Sequence, residues 1–341
     1  MNDDYTLPDA PPIPGLRFRP PAGPGDAAAL VAVWLGSAER DGYDPLSTSE
    51  YISTIDEEAA TLAGSDPTLA LLAEVDDLVV GYNRIWQWTE ADDTHVWLIV
   101  GAVRPEWRGR GLGTALLRWA ERRARQAAKE RPGRWEYAAN ASSSQREAAA
   151  LLDDNGYGIA YTVLEMGLSW AAFAPSAAQP VGIDVRAGRS ADAVAVAAAV
   201  GEAYRDEYDD NRFAVRFDAA AYAAELAGPE HDPALWRVAW AGDEVAGQVI
   251  PRIARGRAEI YEVSVRPGWR RRGAARALLS SAVLGLQAQG VDVVRLHTVR
   301  EFPTQAWRLY ESMGFRVLKE FPRFRKPGEE EEKPQITQIS G

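Results

Sequence analysis

The segment Tyr261–Ala275 has the sequence YEVSVRPGWRRRGAA and combines three features of local structure. It begins with alternating β-branched residues that favour a strand, and the dipeptide Arg266-Pro267 then predicts a turn. A run of arginines and small residues follows and leads into an apolar pattern with helical spacing. Because the first turn of a helix has unpaired N–H groups and a partial positive charge, the segment predicts a phosphate-binding loop at a helix N-terminus.

The same layout occurs earlier in the chain, at Gly101–Gly113, with the sequence GAVRPEWRGRGLG. The two copies are separated by a constant offset of 162 residues, both between Val103 and Val265 and between Gly111 and Gly273. In both copies small residues let the backbone approach a phosphate, and flanking arginines supply charge and forked donors. Two copies at one offset indicate an internal duplication of the chain.

Both segments resemble the acetyl-CoA pyrophosphate loop of the GNAT acetyltransferase superfamily, in which a strand ending V-x-P precedes Q/R-x-x-G-x-G/A and a helix. Each copy is followed by a segment similar to the late marker of that superfamily, LLDDNGY at Leu151–Tyr157 and LYESMGF at Leu309–Phe315. The tandem arrangement is similar to that of the mycothiol synthases and related two-domain acetyltransferases of actinobacteria. The resemblance covers nearly all of both halves. It implies an α/β (α+β) fold of two tandem GNAT domains, each a mixed, mostly antiparallel sheet flanked by helices.

A length of 341 residues agrees with two domains. We predict an N-terminal GNAT-like domain at 1–170, a linker rich in Ala, Ser and Pro at 171–181, a C-terminal GNAT domain at 182–327 and an acidic tail at 328–341. The tail is expected to be disordered, because it is polar and charged. Near the end of the second domain, Phe315–Lys319 and Pro322–Arg325 are predicted to form a final pair of strands.

The composition excludes several classes of site. The chain contains no cysteine, which excludes disulfides, thiolate nucleophiles and cysteine-based metal sites. It contains 3 histidines, so a histidine-built metal centre is not expected, and no metal is expected to take part in the reaction. His95 and His297 are predicted to be structural residues on or near strands.

The charge and hydropathy patterns predict the surroundings of the protein. A net charge of −11 argues against a general nucleic-acid binder, which would carry a basic face. The sequence has no apolar run of about eighteen residues, and Met1–Pro14 lacks the features of a signal peptide. We therefore expect neither nucleic acid nor a membrane among the partners, and we expect a cytoplasmic location.

The resemblance also implies catalytic roles. In the superfamily, a glutamate upstream of the last valine of the central strand often acts as the base, usually through water, and a tyrosine of the late marker acts as the acid toward the CoA sulfur. Glu259 lies at the matching position, six residues before Val265, and the tyrosine is Tyr310. The corresponding positions of the first half are Trp97 and Leu152. The second domain is therefore predicted to be catalytic and the first to be degenerate.

A second glutamate competes for the role of base. Side-chain alternation places Glu259 on the same strand face as Val263 and Val265, and Glu262 on the opposite face. A β-bulge, which is common in this strand of the superfamily, would change that count. Glu262 therefore stays open as the alternative base.

The residues expected to bind acetyl-CoA are those of the two loops and of the strands before them. In the second half they are Val263, Val265, Arg270, Arg271, Arg272, Gly273, Ala274 and Ala275, and in the first half they are Val103, Arg108, Gly109, Arg110, Gly111, Leu112 and Gly113. An acidic group lies where the superfamily places the helices that cover its substrate, at Tyr208, Asp209 and Asp210. This group predicts attraction of a cationic amine, with a solvated helix end as the alternative.

These features predict an acetyl-CoA-dependent N-acetyltransferase. The acetyl group is expected to pass to a primary amine of a small molecule by direct attack in the C-terminal domain. Such a transfer requires no covalent enzyme intermediate, which agrees with a chain without cysteine. Two alternatives stay open, a non-catalytic CoA-binding or scaffolding tandem GNAT protein and a protein N-acetyltransferase.

Overall fold

The structure, a computed structural model, describes residues 5–328 with the exception of 132, 177–179, 211–212, 214–215 and 255–256. The side chains of residues 206–210 and 254 also lie outside the described part. The predicted tail falls almost entirely beyond it, since Gly328 is the last residue described and its backbone N–H donates to the carbonyl oxygen of Trp135 over 2.9 Å.

Strands and helices follow the same order in the two halves of the chain. The first half contains β1 (Leu16–Arg19), α1 (Ala27–Ala38), α2 (Ile55–Gly64), β2 (Ala70–Val75), β3 (Leu78–Thr89), β4 (His95–Val103), α3 (Leu112–Ala128), β5 (Trp135–Asn140), α4 (Arg146–Asp154) and β6 (Gly158–Leu168). The second half contains β7 (Asp184–Ala187), α5 (Ala193–Asp210), α6 (Ala219–Leu226), β8 (Arg237–Ala241), β9 (Glu244–Ala254), β10 (Arg257–Val265), α7 (Ala274–Ala288), β11 (Val294–Val299), α8 (Ala306–Ser312) and β12 (Arg316–Pro327). The predicted mixed α/β architecture with a duplicated plan is confirmed.

The described strands form one continuous twelve-stranded sheet in which the two halves exchange their last strands. Its order is β1-β2-β3-β4-β5-β12-β6-β11-β10-β9-β8-β7. β12 runs antiparallel to both β5 and β6, and β6 runs antiparallel to β11. Each half therefore completes its sheet with the final strand of the other half.

The predicted final pair of strands was wrong, because the chain from Arg316 to Pro327 is the single strand β12. The prediction placed a break before Pro322, which has no N–H to donate. In the structure Pro322 stays within the strand, next to a register shift between Arg323 and Phe324 where the ladder tolerates a missing donor. The strand β6, its neighbour in the sheet, was not predicted.

The exchanged strands contribute side chains to the opposite cores. Leu164, Met166 and Leu168 of β6 are buried in the core formed by α7, α8 and the second half of the sheet. Phe324 of β12 is buried in the core between α3 and the first half of the sheet. Since burying one such side chain contributes roughly 1.5–3 kcal/mol, the exchange couples the stability of the two halves.

The helices cover both faces of the sheet. On one face α3 packs over the first half, and α7 and α8 pack over the second. On the other face two smaller cores lie beneath the helix pairs α1–α2 and α5–α6. The site described below lies where these layers meet near the middle of the sheet.

We predict that the two halves depend on each other for folding. Fragments 1–176 and 180–341, produced separately, should aggregate or remain unfolded, because each lacks the strand that completes its sheet. When they are produced together they should form a soluble one-to-one complex, measured by size-exclusion chromatography with light scattering.

The matched control is fragment 180–315, which ends before β12 and should not form the complex. Two fragments that are each monomeric and cooperatively folded would show that the halves close on themselves, against the exchange.

Candidate active site

The strand β10 of the second half contains a β-bulge. The register of β10 with β9 shifts between Ile260 and Glu262, so Tyr261 is the extra residue. The parallel pairing of β10 with β11 ends at the same point, at Ile260 opposite Leu296. In the first half the described register of β4 with β3 is unbroken, and β4 pairs with β5 through Ile99. The bulge therefore distinguishes the second half, whereas the two parallel strands separate at equivalent positions in both halves, after Ile260 and after Ile99.

The bulge overturns the expected grouping of side chains on β10. Ala258 and Ile260 lie in the core beneath α7, so Glu259 between them points to the other face. After the bulge, Val263 and Val265 pack against the same α7 core. Glu259 thus lies on the face opposite to the two valines, and the expectation that they share a face was wrong because the extra residue reverses the count.

Glu262 faces the same side of the sheet as Glu259. Its Oε1 accepts a hydrogen bond of 2.8 Å from the hydroxyl of Tyr204 on α5. Counted along the neighbouring strand, the first-half position that corresponds to Glu259 is Leu98 rather than Trp97, because the bulge adds one residue to β10. Either assignment leaves the first half without a carboxylate at this place.

Glu259 is buried and held by three polar neighbours. Its Oε1 lies 3.0 Å from Nδ1 of His297 and accepts a hydrogen bond of 3.3 Å from the hydroxyl of Thr48. Its Oε2 accepts a hydrogen bond of 3.0 Å from Nη2 of Arg252. Burial opposes ionisation of the carboxyl, but the bonds from His297 and Arg252 outweigh burial and hold the pKa of Glu259 below its ordinary range. The group is therefore a carboxylate at neutral pH.

The contact with His297 could not be read from the sequence, which predicted only a structural histidine. His297 lies on β11, and β11 runs beside β10 with Glu259 opposite Arg295. Residues two apart on a strand share a face, so Arg295 and His297 both point toward the Glu259 side of the sheet. The usable signal was the alternation of Arg295 and His297 with the buried residues Val294 and Leu296.

A loop of the first half covers this side of the second half. The loop, residues 39–54, connects α1 to α2. Within it, the hydroxyl of Ser49 lies 2.9 Å from Nε2 of His297, and Asp44 forms an ion pair of 2.7 Å with Arg295. The guanidinium of Arg257 donates to the backbone oxygen of Pro45. The two halves together therefore enclose Glu259 and His297.

The second-half loop has the geometry of an anion site. Gly273 occupies the N-cap of α7 with φ 85°, and it has no side chain to cover the first-turn N–H groups at Ala274 and Ala275. Within the described part of the chain, only its own chain neighbours lie within 4 Å of the place where a Cβ on Gly273 would stand. Arg271, with φ 62°, and Arg272 are both exposed beside this space. A phosphate would meet backbone donors, open room and positive charge here.

One arginine in each loop braces the backbone. Nε of Arg270 donates to the carbonyl oxygen of Val265 over 3.0 Å, and Nε of Arg108 donates to that of Val103 over 2.8 Å. Arg110 and Arg272 stack at 5.0 Å over the tryptophan that lies three residues earlier in each loop, Trp107 and Trp269. These contacts hold both loops in one shape, including the left-handed conformation that Gly109 shares with Arg271.

The N-terminal segment lies against the first-half loop. Cβ of Pro11 is 3.5 Å from the place where a Cβ on Gly111 would stand, and Asp9 pairs with Arg122 on α3 over 3.3 Å. Leu7 is buried in the first core. Arg108 is bound by Asp41 and also lies 3.1 Å from Glu147. The helix α3 begins directly after this loop, at Leu112 and Gly113. The first-half loop therefore has the same shape as the second-half loop, but Pro11 of the N-terminal segment lies against its open side.

Tyr310 lies on the α7 side of the sheet. It is 5% exposed, belongs to α8, which packs against β11, and is 6.1 Å from the ring of Phe315. Leu152 is buried at the corresponding place of the first half. The gap between β10 and β11 thus has Glu259 and His297 on one face of the sheet and Tyr310 on the other.

The remaining predicted positions are placed as follows. Tyr208, Asp209 and Asp210 belong to the last turns of α5, and their side chains lie outside the described residues.

Among the residues that the structure describes, no cluster of three or more His, Asp or Glu side chains is arranged to hold a metal ion. No helix in the described ranges has both the length and the apolar character needed to cross a membrane.

Comparison with known proteins points to one family. The family model described as Acetyltransferase (GNAT) family matches residues 34–150 and 197–315. The chain is 29% identical over 307 residues to a mycothiol acetyltransferase of Geodermatophilus obscurus, a match that covers 86% of this chain and 91% of that protein. It is 30% identical over 248 residues to a mycothiol acetyltransferase of Frankia casuarinae, covering 70% of this chain and 69% of the relative.

Two solved structures show the same architecture along nearly their whole length. A GCN5-related N-acetyltransferase from Sphaerobacter thermophilus superposes with a TM-score of 0.75 at 26% identity, covering 95% of this chain and 98% of that one. A tandem GNAT protein from the clavulanic acid biosynthesis pathway superposes with a TM-score of 0.63 at 15% identity, covering 92% and 99%. The latter likeness concerns the fold alone.

We predict that the Glu259 carboxylate stabilises the folded chain in a pH-dependent way. Glu259→Gln should lower the free energy of unfolding by about 2 kcal/mol at pH 7, since it weakens charge-assisted hydrogen bonds. The pKa of Glu259 is depressed in the folded chain, so its contribution is complete above the unfolded-state pKa of about 4.3 and is lost as pH falls through the lower folded value. Denaturant unfolding of both proteins between neutral and acidic pH measures the difference.

The exposed Glu106→Gln variant controls for the change in net charge. A wild-type advantage over Glu259→Gln that grows toward acidic pH would contradict the assignment of an ionised, stabilising carboxylate.

Proposed function

Since the chain belongs to the acetyltransferase (GNAT) family and is an acyltransferase, we propose that it transfers the acetyl group of acetyl-CoA directly to a primary amine of a small molecule, in its C-terminal half. The observation that carries this proposal is the asymmetry between the halves. The second half has the bulged β10, a carboxylate at Glu259 and a tyrosine at position 310. The first half has an unbroken β4 and apolar residues at both catalytic positions.

The residues of the second-half loop fit the pyrophosphate of acetyl-CoA. The first-turn N–H groups of α7 and the exposed guanidinium groups of Arg271 and Arg272 would bind the phosphates, and the open space at Gly273 admits them. The pantetheine arm would then follow the strand toward the gap, past Val263 and Val265. This course brings the thioester between the Glu259 face and the Tyr310 face.

The reaction needs a proton acceptor for the amine and a proton donor for the departing sulfur. We assign proton acceptance to the Glu259 side of the gap and donation to Tyr310, which lies on the opposite side. Glu262 stays the alternative base, and its bond from Tyr204 supports a role in holding α5 against β10.

We assign a supporting role to the first half. It supplies β6 to the sheet and the loop 39–54 to the wall of the site. Its own phosphate-binding loop is lined by the N-terminal segment, with Pro11 beside Gly111 and Asp9 paired with Arg122. We therefore propose that acetyl-CoA binds to the second loop and not to the first.

The names of the relatives support a small-molecule acceptor, since both curated relatives are mycothiol acetyltransferases. An amine acceptor is protonated in solution, and the net charge of −11 favours its approach. Tyr208 and the acidic residues Asp209 and Asp210 stay the proposed acceptor contacts, by their place at the end of α5.

We predict that one acetyl-CoA binds per chain, measured by isothermal titration calorimetry. Gly273→Glu should abolish binding, because the new carboxylate would occupy the phosphate space and repel the ligand. Gly111→Glu is the matched control in the first half and should leave the affinity within about twofold of wild type. A stoichiometry of two that falls to one in either variant would show that both loops bind.

We predict acceptor-dependent release of CoA from acetyl-CoA, measured with a thiol reagent. The panel contains amino sugars, polyamines, amino acids, aminoglycosides, short peptides and the acceptor of mycothiol acetyltransferases. With the active amine, Tyr310→Phe should lower turnover by about 10²-fold or more, the usual contribution of a general acid, while the acetyl-CoA affinity stays unchanged.

Wild-type turnover in Tyr310→Phe would remove Tyr310 as the acid. Release with peptides alone would indicate a protein N-acetyltransferase, and release with no amine in the panel would contradict the proposed acceptor class.

A further inference from the structure

We propose that His297, rather than Glu259 itself, takes the proton from the acceptor amine. Glu259 positions the imidazole through Nδ1, and Ser49 of the first half orients it through Nε2, the nitrogen that accepts the proton. This inference rests on the proposed function of the second half and specifies its proton acceptor. It also gives the first half a direct part in the chemistry.

The position of His297 carries the first step. The parallel pairing of β10 and β11 ends at Leu296, so His297 is the first residue of β11 beyond the point where the strands separate. Its side chain is 20% exposed, whereas that of Glu259 is 10% exposed. The imidazole therefore stands at the mouth of the gap, and the carboxylate stands behind it.

The hydrogen bonds of Glu259 fix the tautomer of His297. An ionised carboxylate accepts hydrogen bonds and donates none, so the proton of the neutral imidazole lies on Nδ1, 3.0 Å from Oε1 of Glu259. Nε2 then carries the lone pair of the ring and faces the hydroxyl of Ser49. Since Glu259 also accepts bonds from Arg252 and Thr48, three of its about four lone-pair sites are engaged, which favours Nε2 as the proton acceptor.

Ser49 lies beside Nε2 of His297, the nitrogen that we propose as the proton acceptor. Its hydroxyl lies 2.9 Å from Nε2 of His297, and its side chain belongs to an exposed residue of the loop 39–54. An oxygen at hydrogen-bond distance from Nε2 occupies the position that an amine nitrogen, or the hydroxyl that relays its proton, must take. The arrangement of hydroxyl, imidazole and carboxylate is that of a catalytic triad, used here to deprotonate an amine.

The charges around His297 suit the imidazolium ion that would form. Carboxylates face it from two strands, Glu259 on β10 and Glu165 on β6, the latter 3.8 Å from Nε2 and fully buried. The cations of the neighbourhood are paired. Arg295 binds Glu165 and Asp44, Arg252 binds Glu259 and Glu230, and Lys319 of β12 binds Glu50.

The bonds and protons of the step balance as follows. The acceptor first loses its ammonium proton to solvent. The nitrogen lone pair of the neutral amine then forms the C–N bond at the thioester carbon, and the C–S bond breaks with its electron pair passing to sulfur. The proton leaving nitrogen goes to Nε2 of His297, and the sulfur takes a proton from the proposed donor Tyr310. Proton exchange with solvent then restores both side chains, and the products are the N-acetylated amine and CoA with a free thiol.

The test compares steady-state acetylation of the active amine by wild type, His297→Asn, Glu259→Gln and Ser49→Ala. We expect kcat to fall by about 10²- to 10⁴-fold in His297→Asn and by about tenfold in each of the other two, with the acetyl-CoA Kd unchanged. His297→Ala should regain turnover when free imidazole is added, which a structural role would not permit. His95→Asn is the control, because His95 begins β4 of the first half and bonds with Thr89.

Wild-type turnover tests the proposed function, and the ratio of variant to wild type tests His297, so the two can fail separately. An active wild type with His297→Asn within about threefold of it, and Glu259→Gln lower by 10²-fold or more, would overturn the inference in favour of Glu259. Acetylated Ser49 found by mass spectrometry during turnover would also overturn it, because Ser49 would then be a nucleophile.

Discussion

The exchange of β6 and β12 is the constraint on which the rest of the molecule depends. These two strands lie side by side at the centre of the sheet. The strand β12 of the second half completes the first half, and β6 of the first half completes the second. Their apolar side chains enter the opposite cores, so neither half can bury its own core without its partner. The exchange fixes the relative position of the halves, and a loop of one half can therefore serve as a wall of the other half's site.

Against this symmetric frame, a single extra residue makes the second half different. Tyr261 is an extra residue in β10 and reverses the faces of the side chains that follow it. Glu259, which precedes the bulge, shares a face with His297 on the adjacent strand, while Val263 and Val265, which follow it, lie on the opposite side with the α7 core. In the first half the ladder between β3 and β4 is unbroken, β4 separates from β5 after Ile99, and the apolar Leu98 lies at the position of Glu259.

The sequence predicted what is local. The strand–loop–helix segments, their duplication and the glutamate at position 259 could all be read from spacing and from a resemblance to a superfamily. It could not predict the exchange, because sequential strands usually lie next to each other and nothing in β12 specifies a distant partner. It also misassigned the faces of β10, since one bulge residue reverses the alternation. The contact between His297 and Glu259 required the pairing of two strands whose register only the fold supplies.

The fold also shows how the first half is built into the second. The first half has the apolar residues Leu98 and Leu152 at the positions that correspond to Glu259 and Tyr310. Two of its other parts are nevertheless built into the second half: β6, which lies between β12 and β11, and the loop 39–54, which reaches Glu259 through Thr48 and His297 through Ser49. The structural contribution of the first half to the second therefore lies in the surfaces where the two halves meet. A substitution in the loop 39–54 acts on the second-half site at hydrogen-bond distance, although it lies about two hundred residues away along the chain.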